Sequence, residues 1–270
     1  MLNDTDLIVK LQFTIQRAPF FPDAPKNFFI EKFGEQTLNE AFELKRNDLL
    51  VYMALSNFKR KIPFNHLSPR LQADIKTFLG SYKSGLEESK AMLFAIGNPD
   101  VITELCNKTH FGFFDHKALY THKSLVDKLH PVLRIYIGCS GILYGDTQNA
   151  DIIKIHRSSG KVTLLKYDDF ENKPLPELHE RVKVNLRKQR IDVFDHQSPA
   201  HQQLLYFKEL YVGKDHPDRS KWKKYSNKLR RLGFNDRVVF GPTKQEFYEF
   251  INKNDLTINL NKRRKRFFQI

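Results

Sequence analysis

The sequence has few cysteines, and the two that it has are far apart. Cys106 and Cys139 are the only ones in 270 residues, and no Cys-x-x-Cys spacing occurs. We therefore expect neither a disulfide framework nor a cysteine-rich zinc site, because both need more cysteines at closer spacing. This scarcity is typical of a protein in a reducing cytoplasm.

Long apolar runs are also missing. No stretch approaches the ~20 apolar residues that a membrane-spanning helix needs. The first residues, MLNDTD, are acidic instead of basic, and no apolar segment follows them, so we expect no signal peptide. The sequence therefore predicts a cytoplasmic protein with no membrane association.

Several motifs of well-known active sites do not occur. The sequence contains no GxGxxG or GxxxxGK[ST] loop, no GxSxG, no HExxH, and no Asn/Asp-Pro-Pro-Tyr signature of amino-methyltransferases. Gly138 and Gly141 lie in an apolar pattern that looks helical, which favours close helix packing over a nucleotide-binding turn. We predict neither a cofactor nor a metal site.

Positive charge is concentrated in the last quarter of the chain. The whole sequence has a net charge of +14, from 45 Lys and Arg and 31 Asp and Glu. Residues 201–270 hold 17 Lys and Arg against 7 Asp and Glu, so they carry most of this excess. Such a skew indicates a polyanionic partner, and nucleic acid is the simplest one.

The densest group of cations lies on a predicted helix at residues 217–232. Like charges repel one another on a helix, so this density points to an external anion. A solvated helix face and a disordered tail are the alternatives. We predict that phosphates contact Lys221, Lys223, Lys224, Lys228, Arg230 and Arg231. The residues that would extend this surface across a predicted sheet are Arg157, Lys161, Lys183 and Arg187.

Hydrophobic spacing predicts an α+β fold that is mainly helical, with a small antiparallel β-sheet in the second half. Residues 1–148 form the helical region, residues 149–198 form the sheet packed on it, and residues 199–270 form a basic helical C-terminal region. We expect these regions to make one compact unit.

Individual elements follow from periodicity and capping residues. The predicted helices are at residues 28–44, from Asn47, from the Ser68-Pro69 cap to Gly97, from the Asn98-Pro99 cap, at residues 201–211, and after the capping box Thr243-x-x-Glu246. The predicted strands are at residues 152–157, 161–167, 181–186, 191–194 and 256–260. A basic run closes the sequence at residues 262–266.

A nuclease would need clustered carboxylates that hold a divalent metal, often beside a lysine. The candidates for such a catalytic group are Asp146, Asp151, Lys154 and His156, which lie near the predicted hairpin. The spacing Asp151-x-x-Lys154 does not match the (Asp/Glu)-x-Lys arrangement on one strand face. Roles at turns and strand ends are therefore favoured for these acids.

Four runs of the sequence resemble one known family. They are LLVYMALSNFKRKIPFNHLSPRLQADIKTFLGSY (residues 49–82), ALYTHKSL (118–125), LRIYIGCSGILYGD (133–146) and KIHRSSGKVTLLKYDDF (154–170). These runs resemble the C-terminal half of the methyltransferase family associated with bacterial DNA phosphorothioation, in which sulfur replaces a non-bridging phosphate oxygen. The resemblance covers residues 28–260 and includes polar strings as well as core residues.

The resemblance implies a role in DNA modification or in defence against foreign DNA. Longer family members carry a glycine-rich motif for S-adenosylmethionine ahead of this region. This chain has no counterpart of that motif, so neither methyl transfer nor a catalytic residue carries over.

We therefore expect a DNA-binding accessory protein of a phosphorothioation-linked modification or defence system. Its expected partners are duplex DNA and a separate methyltransferase or other subunit of such a system. One alternative is a nuclease or methyltransferase component that a partner chain completes. Another is an interaction scaffold for an acidic partner.

Overall fold

The structure is a computed structural model that describes residues 30–145, 150–198, 202–234 and 241–253. The chain divides into two compact units, Met1–Ala95 and Ile96–Ile270. The division falls within residues 1–148, which the sequence analysis treats as one region of a single compact unit. Each unit has a hydrophobic core of its own.

The first unit is helical in its described part. Its helices are α1 (Glu35–Lys59), α2 (Pro69–Leu79) and α3 (Tyr82–Ala95), with a short 3₁₀-helix at Phe64–His66. Leu50 and Ile75 are fully buried at the centre of its core. No helix among the described residues is both long and apolar enough to cross a bilayer.

Two helix boundaries in this unit differ from the prediction. α1 is continuous, and Asn47, expected to cap a separate helix, lies inside it. Ser68 begins α2 as predicted, because its hydroxyl accepts a hydrogen bond from the Leu71 N–H at 3.3 Å. The helix then ends early at Gly80, whose φ of 73° suits a residue without Cβ. Apolar spacing continues across this break, which is why periodicity alone predicts one long helix.

The second unit is built on a six-stranded antiparallel sheet whose strands follow one another in chain order. They are β1 (Phe113–Phe114), β2 (Ala118–His122), β3 (Ile152–His156), β4 (Lys161–Asp168), β5 (Glu177–Asn185) and β6 (Arg190–Asp195). Helix α4 (Pro99–Lys108) precedes the sheet, and helix α5 (Pro131–Tyr144) connects β2 to β3. The α+β fold with an antiparallel sheet in the second half is confirmed.

The sheet begins earlier than the sequence analysis expects. β1 and β2 lie inside the region predicted to be helical, and β2 pairs with β3 along its whole length. β2 is buried at all five positions, so it shows no polar–apolar alternation from which a strand can be recognised. Strands β3 to β6 match the first four of the five predicted strands, with β5 starting four residues earlier.

The two faces of the sheet differ in what covers them. Side chains alternate between faces along each strand. One face is mostly apolar and packs against α5, whose Tyr144 hydroxyl donates a hydrogen bond to Glu180 Oε1 at 3.3 Å. On the other face, Ile152 and Leu165 pack in a cluster with Trp222. The strand positions beyond that cluster carry lysine and arginine.

The chain after β6 returns to the sheet before it becomes helical. The helix predicted at residues 201–211 does not form; Leu204 bridges to Glu177, and only a short 3₁₀-helix follows at Lys208–Leu210. Helices α6 (Arg219–Arg231) and α7 (Lys244–Lys253) come next. The predicted strand at residues 256–260 and the basic run at 262–266 lie outside the described residues.

The predicted capping box before α7 is confirmed. Glu246 Oε2 accepts a hydrogen bond from the Thr243 N–H at 2.7 Å, and Thr243 Oγ1 accepts one from the Glu246 N–H at 3.3 Å. These reciprocal bonds satisfy two N–H groups that the start of a helix leaves unpaired. They also hold the pKa of the Glu246 carboxyl below its ordinary value.

Both cysteines are buried in the second unit. Cys106 lies in α4, Cys139 lies in α5, and both are free thiols. Burial raises the pKa of each thiol to about 12. The thiolate, which is the reactive form, is therefore scarce at neutral pH.

His122 is a buried histidine at the end of β2. Its ring stacks on Phe170 with the centroids 4.8 Å apart, and its Nδ1 accepts a hydrogen bond from the Ser124 N–H at 3.3 Å. Burial lowers its pKa to about 4. The charged or titratable groups that face it are Lys123, Glu171, Lys208 and His216. The Glu171 carboxylate lies 3.8 Å from Nε2 but is half exposed. The effect of burial on the pKa of His122 is therefore larger than the attraction of this carboxylate.

We predict that the second unit loses stability as the pH falls from about 6.5 to 4. The unfolded chain binds a proton on His122 throughout this window and the folded chain does not, so acid favours unfolding by about 3 kcal/mol. Urea unfolding followed by the fluorescence of Trp222, the single tryptophan, measures this loss. His122→Asn keeps a capping oxygen and should make the pH profile shallower, with the remaining slope supplied by His156, whose pKa burial also lowers to about 4. The same change at the exposed His66 should leave the profile intact. An equally steep profile in His122→Asn would contradict the assignment.

Candidate nucleic-acid interface

Helix α6 separates its apolar residues from its charged ones. It carries seven Lys and Arg and no Asp or Glu. Trp222, Tyr225 and Leu229 recur at helical spacing and are buried in the second unit. Burial of this stripe turns most of the cations outward, and no acid on the helix offsets their repulsion.

Five cations of α6 form what we call the α6 patch. They are Lys221, Lys223, Lys224, Lys228 and Arg231, and all are exposed except Lys228, which is half-buried. Lys221 lies 3.9 Å from the Asp218 carboxylate. Among the described residues, no carboxylate lies within ion-pair distance of Lys223, Lys224 or Arg231. The patch therefore keeps a surplus of positive charge at the surface.

A cleft of about 450 Å³ lies alongside the α6 patch. Lys221, Lys224 and Lys228 line one side of it, together with Trp222 and Tyr225. Asn172 and Pro174, from the loop after β4, contribute to its lining as well. Ammonium groups beside aromatic rings suit a phosphate with its attached sugar or base.

Lys208 holds the two sides of this cleft together. It is almost fully buried, and its Nζ donates hydrogen bonds to the backbone carbonyls of Phe170 and Lys173, the latter at 3.1 Å. The same ammonium lies 3.8 Å from the centroid of the Trp222 ring on α6. Burial lowers its pKa to about 7. One buried side chain thus joins the loop after β4 to α6.

Arg230, predicted to contact phosphate, has a different role. Its Nη2 donates a hydrogen bond to Glu209 Oε1 at 2.9 Å, and Glu209 is only 2% exposed. The hydroxyl of Ser226 donates to the other oxygen of the same carboxylate. Arg230 also lies over the ring of Phe207. Arg230 therefore anchors α6 to the 3₁₀-helix at Lys208–Leu210 and is not part of the α6 patch.

A second group of cations lies on the uncovered part of the sheet. Lys161 and Lys183, both predicted, occupy the same face of β4 and β5. Lys154 on β3 and Arg181 on β5 share that face. We call these four residues the sheet patch. Arg181 was not among the predicted contacts, although the alternation Arg181-Val182-Lys183-Val184 signals its position.

Of the other two predicted cations near the sheet, Arg157 fixes the chain, and Arg187 is an exposed side chain that lies over the hairpin between β3 and β4. The Arg157 guanidinium donates hydrogen bonds to Asn107 Oδ1 at 3.0 Å and to the backbone carbonyl of His116. The Arg187 side chain covers Gly160, where a Cβ would lie 2.8 Å from its Cγ. Gly160 has a φ of 68° in the hairpin between β3 and β4, so glycine suits the position on both counts.

Asp151 serves the sheet and does not join the other catalytic candidates. Its Oδ2 accepts a hydrogen bond from the Tyr167 N–H at 2.8 Å, and its Oδ1 accepts one from Lys123 Nζ at 3.1 Å. The carboxylate thus ties β4 to the segment after β2. Asp146 lies outside the described residues.

Lys154 and His156 share one face of β3 but do not form a metal site with an acid cluster. Lys154 Nζ donates to the Tyr120 hydroxyl and lies 3.9 Å from Asp115 Oδ2. His156 Nε2 lies 3.0 Å from Thr163 Oγ1, and burial lowers the pKa of this histidine to about 4. In the described ranges, no group of three His, Cys, Asp or Glu is placed to hold a metal ion.

No protein-family model, curated protein or solved structure matches the chain. The site is therefore interpreted from its own geometry. That geometry is a helix with a surplus of exposed cations, a cleft with an aromatic side, and an anchoring network that fixes the helix. These are the features of a candidate interface for a phosphate-bearing polyanion.

We predict that Arg230→Gln lowers the free energy of unfolding by about 2 kcal/mol, because it leaves the buried Glu209 carboxylate without its cation. Urea unfolding followed by Trp222 fluorescence measures the loss. Lys223→Gln removes an exposed charge from the same helix and should change the free energy by less than about 0.5 kcal/mol. Adding Glu209→Gln to Arg230→Gln should cost less than the sum of the two single changes, since the pair is coupled. Equal, small effects of Arg230→Gln and Lys223→Gln would contradict the anchoring role.

Proposed function

We propose that the protein binds duplex DNA through its phosphate backbone, as an accessory component of a modification or defence system in the bacterial cytoplasm. The observation that carries this proposal is the α6 patch, which holds five cations on a helix fixed by its buried side. Among the described residues, three of them, Lys223, Lys224 and Arg231, have no carboxylate within ion-pair distance. A surface of this kind attracts any polyphosphate. The resemblance to the phosphorothioation-associated family favours DNA and supplies the context.

The dimensions of α6 suit a run of phosphates. Lys221 and Lys228 are seven residues apart, which is about 10 Å along a helix axis. One DNA strand rises about 3.4 Å along the duplex axis per phosphate, so α6 aligned with that axis would span about three phosphate steps. Lysine and arginine contacts to phosphates give affinity without reading sequence. The proposal is therefore binding to duplex DNA with little sequence preference.

The engagement of Asp151 makes a nuclease the less favoured function. A metal-dependent nuclease needs free carboxylates around one or two divalent ions. The Asp151 carboxylate is instead engaged in the fold, because it accepts hydrogen bonds from Lys123 and from the Tyr167 backbone.

We predict that the triple variant Lys221→Gln, Lys223→Gln, Lys224→Gln weakens duplex binding and makes it less sensitive to salt. Each lost phosphate contact should reduce the slope of log K against log[salt] by about 0.9. Fluorescence anisotropy of a labelled duplex between about 50 and 200 mM salt gives both the affinity and the slope.

The matched control removes three exposed lysines from the first unit, through Lys59→Gln, Lys83→Gln and Lys90→Gln. It changes the net charge by the same amount and should leave the slope unchanged. If the α6 variant keeps the wild-type affinity and slope, or if the control loses as much, α6 is not the binding surface. A wild-type protein that does not bind duplex at all would end the proposal.

A further inference from the structure

The sheet patch is a compact group of cations at the centre of one sheet face. Lys154, Thr163 and Lys183 are directly paired across β3, β4 and β5. Neighbouring strands lie about 4.8 Å apart, so the three Cα atoms span about 10 Å. Lys161 and Arg181 are two residues from this row, on the same face. Four long cationic side chains therefore surround the buried Thr163.

One aromatic ring, that of Phe194, and no carboxylate holds two of these cations. The Arg181 guanidinium and the Lys183 ammonium lie 4.7 Å and 4.9 Å from the centroid of the Phe194 ring. Both groups are therefore near one point, and the ring positions them without cancelling their charge. Among the described residues, no carboxylate lies within ion-pair distance of Lys161, Arg181 or Lys183.

The acids nearest to the patch are already engaged. Asp115 accepts hydrogen bonds from the Tyr120 hydroxyl at 2.9 Å and from two backbone N–H groups. Asp192 accepts a hydrogen bond from Arg190 Nε at 2.7 Å. These acids do not compensate four neighbouring cations, and the patch keeps a net positive charge.

Crowding and partial burial lower the pKa of two lysines in the sheet patch. Burial lowers the pKa of Lys183, and the neighbouring Arg181 and Lys161 lower it further, against the opposing effect of Asp192. Burial also lowers the pKa of Lys154, which Lys183 and Arg181 lower further, against the opposing effect of Asp115. The fold thus holds like charges together at a cost that a bound anion would relieve.

We propose that the sheet patch is a binding site for a single phosphate group of the phosphomonoester class. Lys161, Arg181 and Lys183 would supply the charge-assisted hydrogen bonds. A terminal phosphate carries close to two negative charges at neutral pH, against one for a backbone phosphate, so it matches this concentration of cations better. The cations are half-buried within a sheet face, where a small group reaches them more readily than a duplex does. This proposal does not depend on DNA binding by the α6 patch.

Isothermal titration calorimetry with inorganic phosphate, at neutral pH and constant ionic strength, tests the site. We expect saturable binding to the full chain. Lys183→Gln and Arg181→Gln should each weaken it about tenfold or more, since a hydrogen bond between charged groups contributes that much. Lys183→Arg keeps the charge and should retain most of the affinity. Lys161→Gln should also weaken binding. It is an independent test of the site in case Lys183→Gln alters the fold.

Two matched controls separate this site from general charge effects. Lys166 lies on β4 but on the opposite face, paired with Glu180, so Lys166→Gln should leave phosphate binding unchanged. The double variant Lys83→Gln, Lys90→Gln, which removes two exposed lysines of the first unit, should leave it unchanged as well. Absence of saturable phosphate binding, or equal losses in Lys166→Gln and Lys183→Gln, would overturn the proposal. The proposal would also be overturned if Lys183→Gln lost as much affinity for duplex DNA as for phosphate, because the sheet patch would then be part of the surface that binds the DNA backbone.

The source of the phosphate is resolved by two further probes. Thymidine 5′-monophosphate is compared with thymidine, and a 5′-phosphorylated oligonucleotide is compared with its 5′-hydroxyl form. If the monophosphate binds more tightly than inorganic phosphate, the site is supported and its natural ligand is a nucleotide. If the phosphorylated oligonucleotide binds more tightly than its 5′-hydroxyl form, the site is supported and its natural ligand is a DNA end. Equal affinity for inorganic phosphate and the monophosphate supports a site for free phosphate.

Discussion

The basic surface of the second unit depends on two consecutive buried charges, Lys208 and Glu209. Taking each charge out of water costs several kcal/mol, so each needs strong partners. Lys208 has two backbone carbonyls and the Trp222 ring, and Glu209 has Arg230 and Ser226. Because all five partners lie either on α6 or in the loop after β4, satisfying the two charges fixes the helix, the loop and the cleft between them.

This anchoring divides the cations of α6 into two kinds. Arg230 uses its planar guanidinium to bond a buried carboxylate, a geometry that a lysine ammonium reproduces poorly. The exposed positions of the α6 patch are mostly lysines, whose flexible stems can follow a partner of variable shape. A fixed helix that carries flexible lysine side chains is well suited to phosphates that lie at slightly different places in different DNA sequences.

Much of the fold follows from the sequence, and the misses have physical causes. Capping residues Ser68 and Asn98 and the box at Thr243 mark helix starts, because a local side chain satisfies a local N–H. Gly80 breaks a helix within an unbroken apolar periodicity. β2 is buried throughout and so lacks alternation. The cations of α6 are visible as a charge cluster, but the sequence does not separate Arg230 from the rest, since its partner Glu209 lies 21 residues away.

In the second unit, some cations are held by carboxylates and others by aromatic rings, and the two arrangements differ in the net charge that remains. Arg230 and Lys123 bind the carboxylates of Glu209 and Asp151, and there the charges cancel locally. Where cations face solvent on the sheet, a ring such as Phe194 holds them and their charge remains. A carboxylate in place of Phe194 would position Arg181 and Lys183 equally well, but it would cancel the field that attracts an anion. Because the uncharged Phe194 ring holds Arg181 and Lys183, their positive charge is not cancelled by an internal salt bridge and stays available to an external anion.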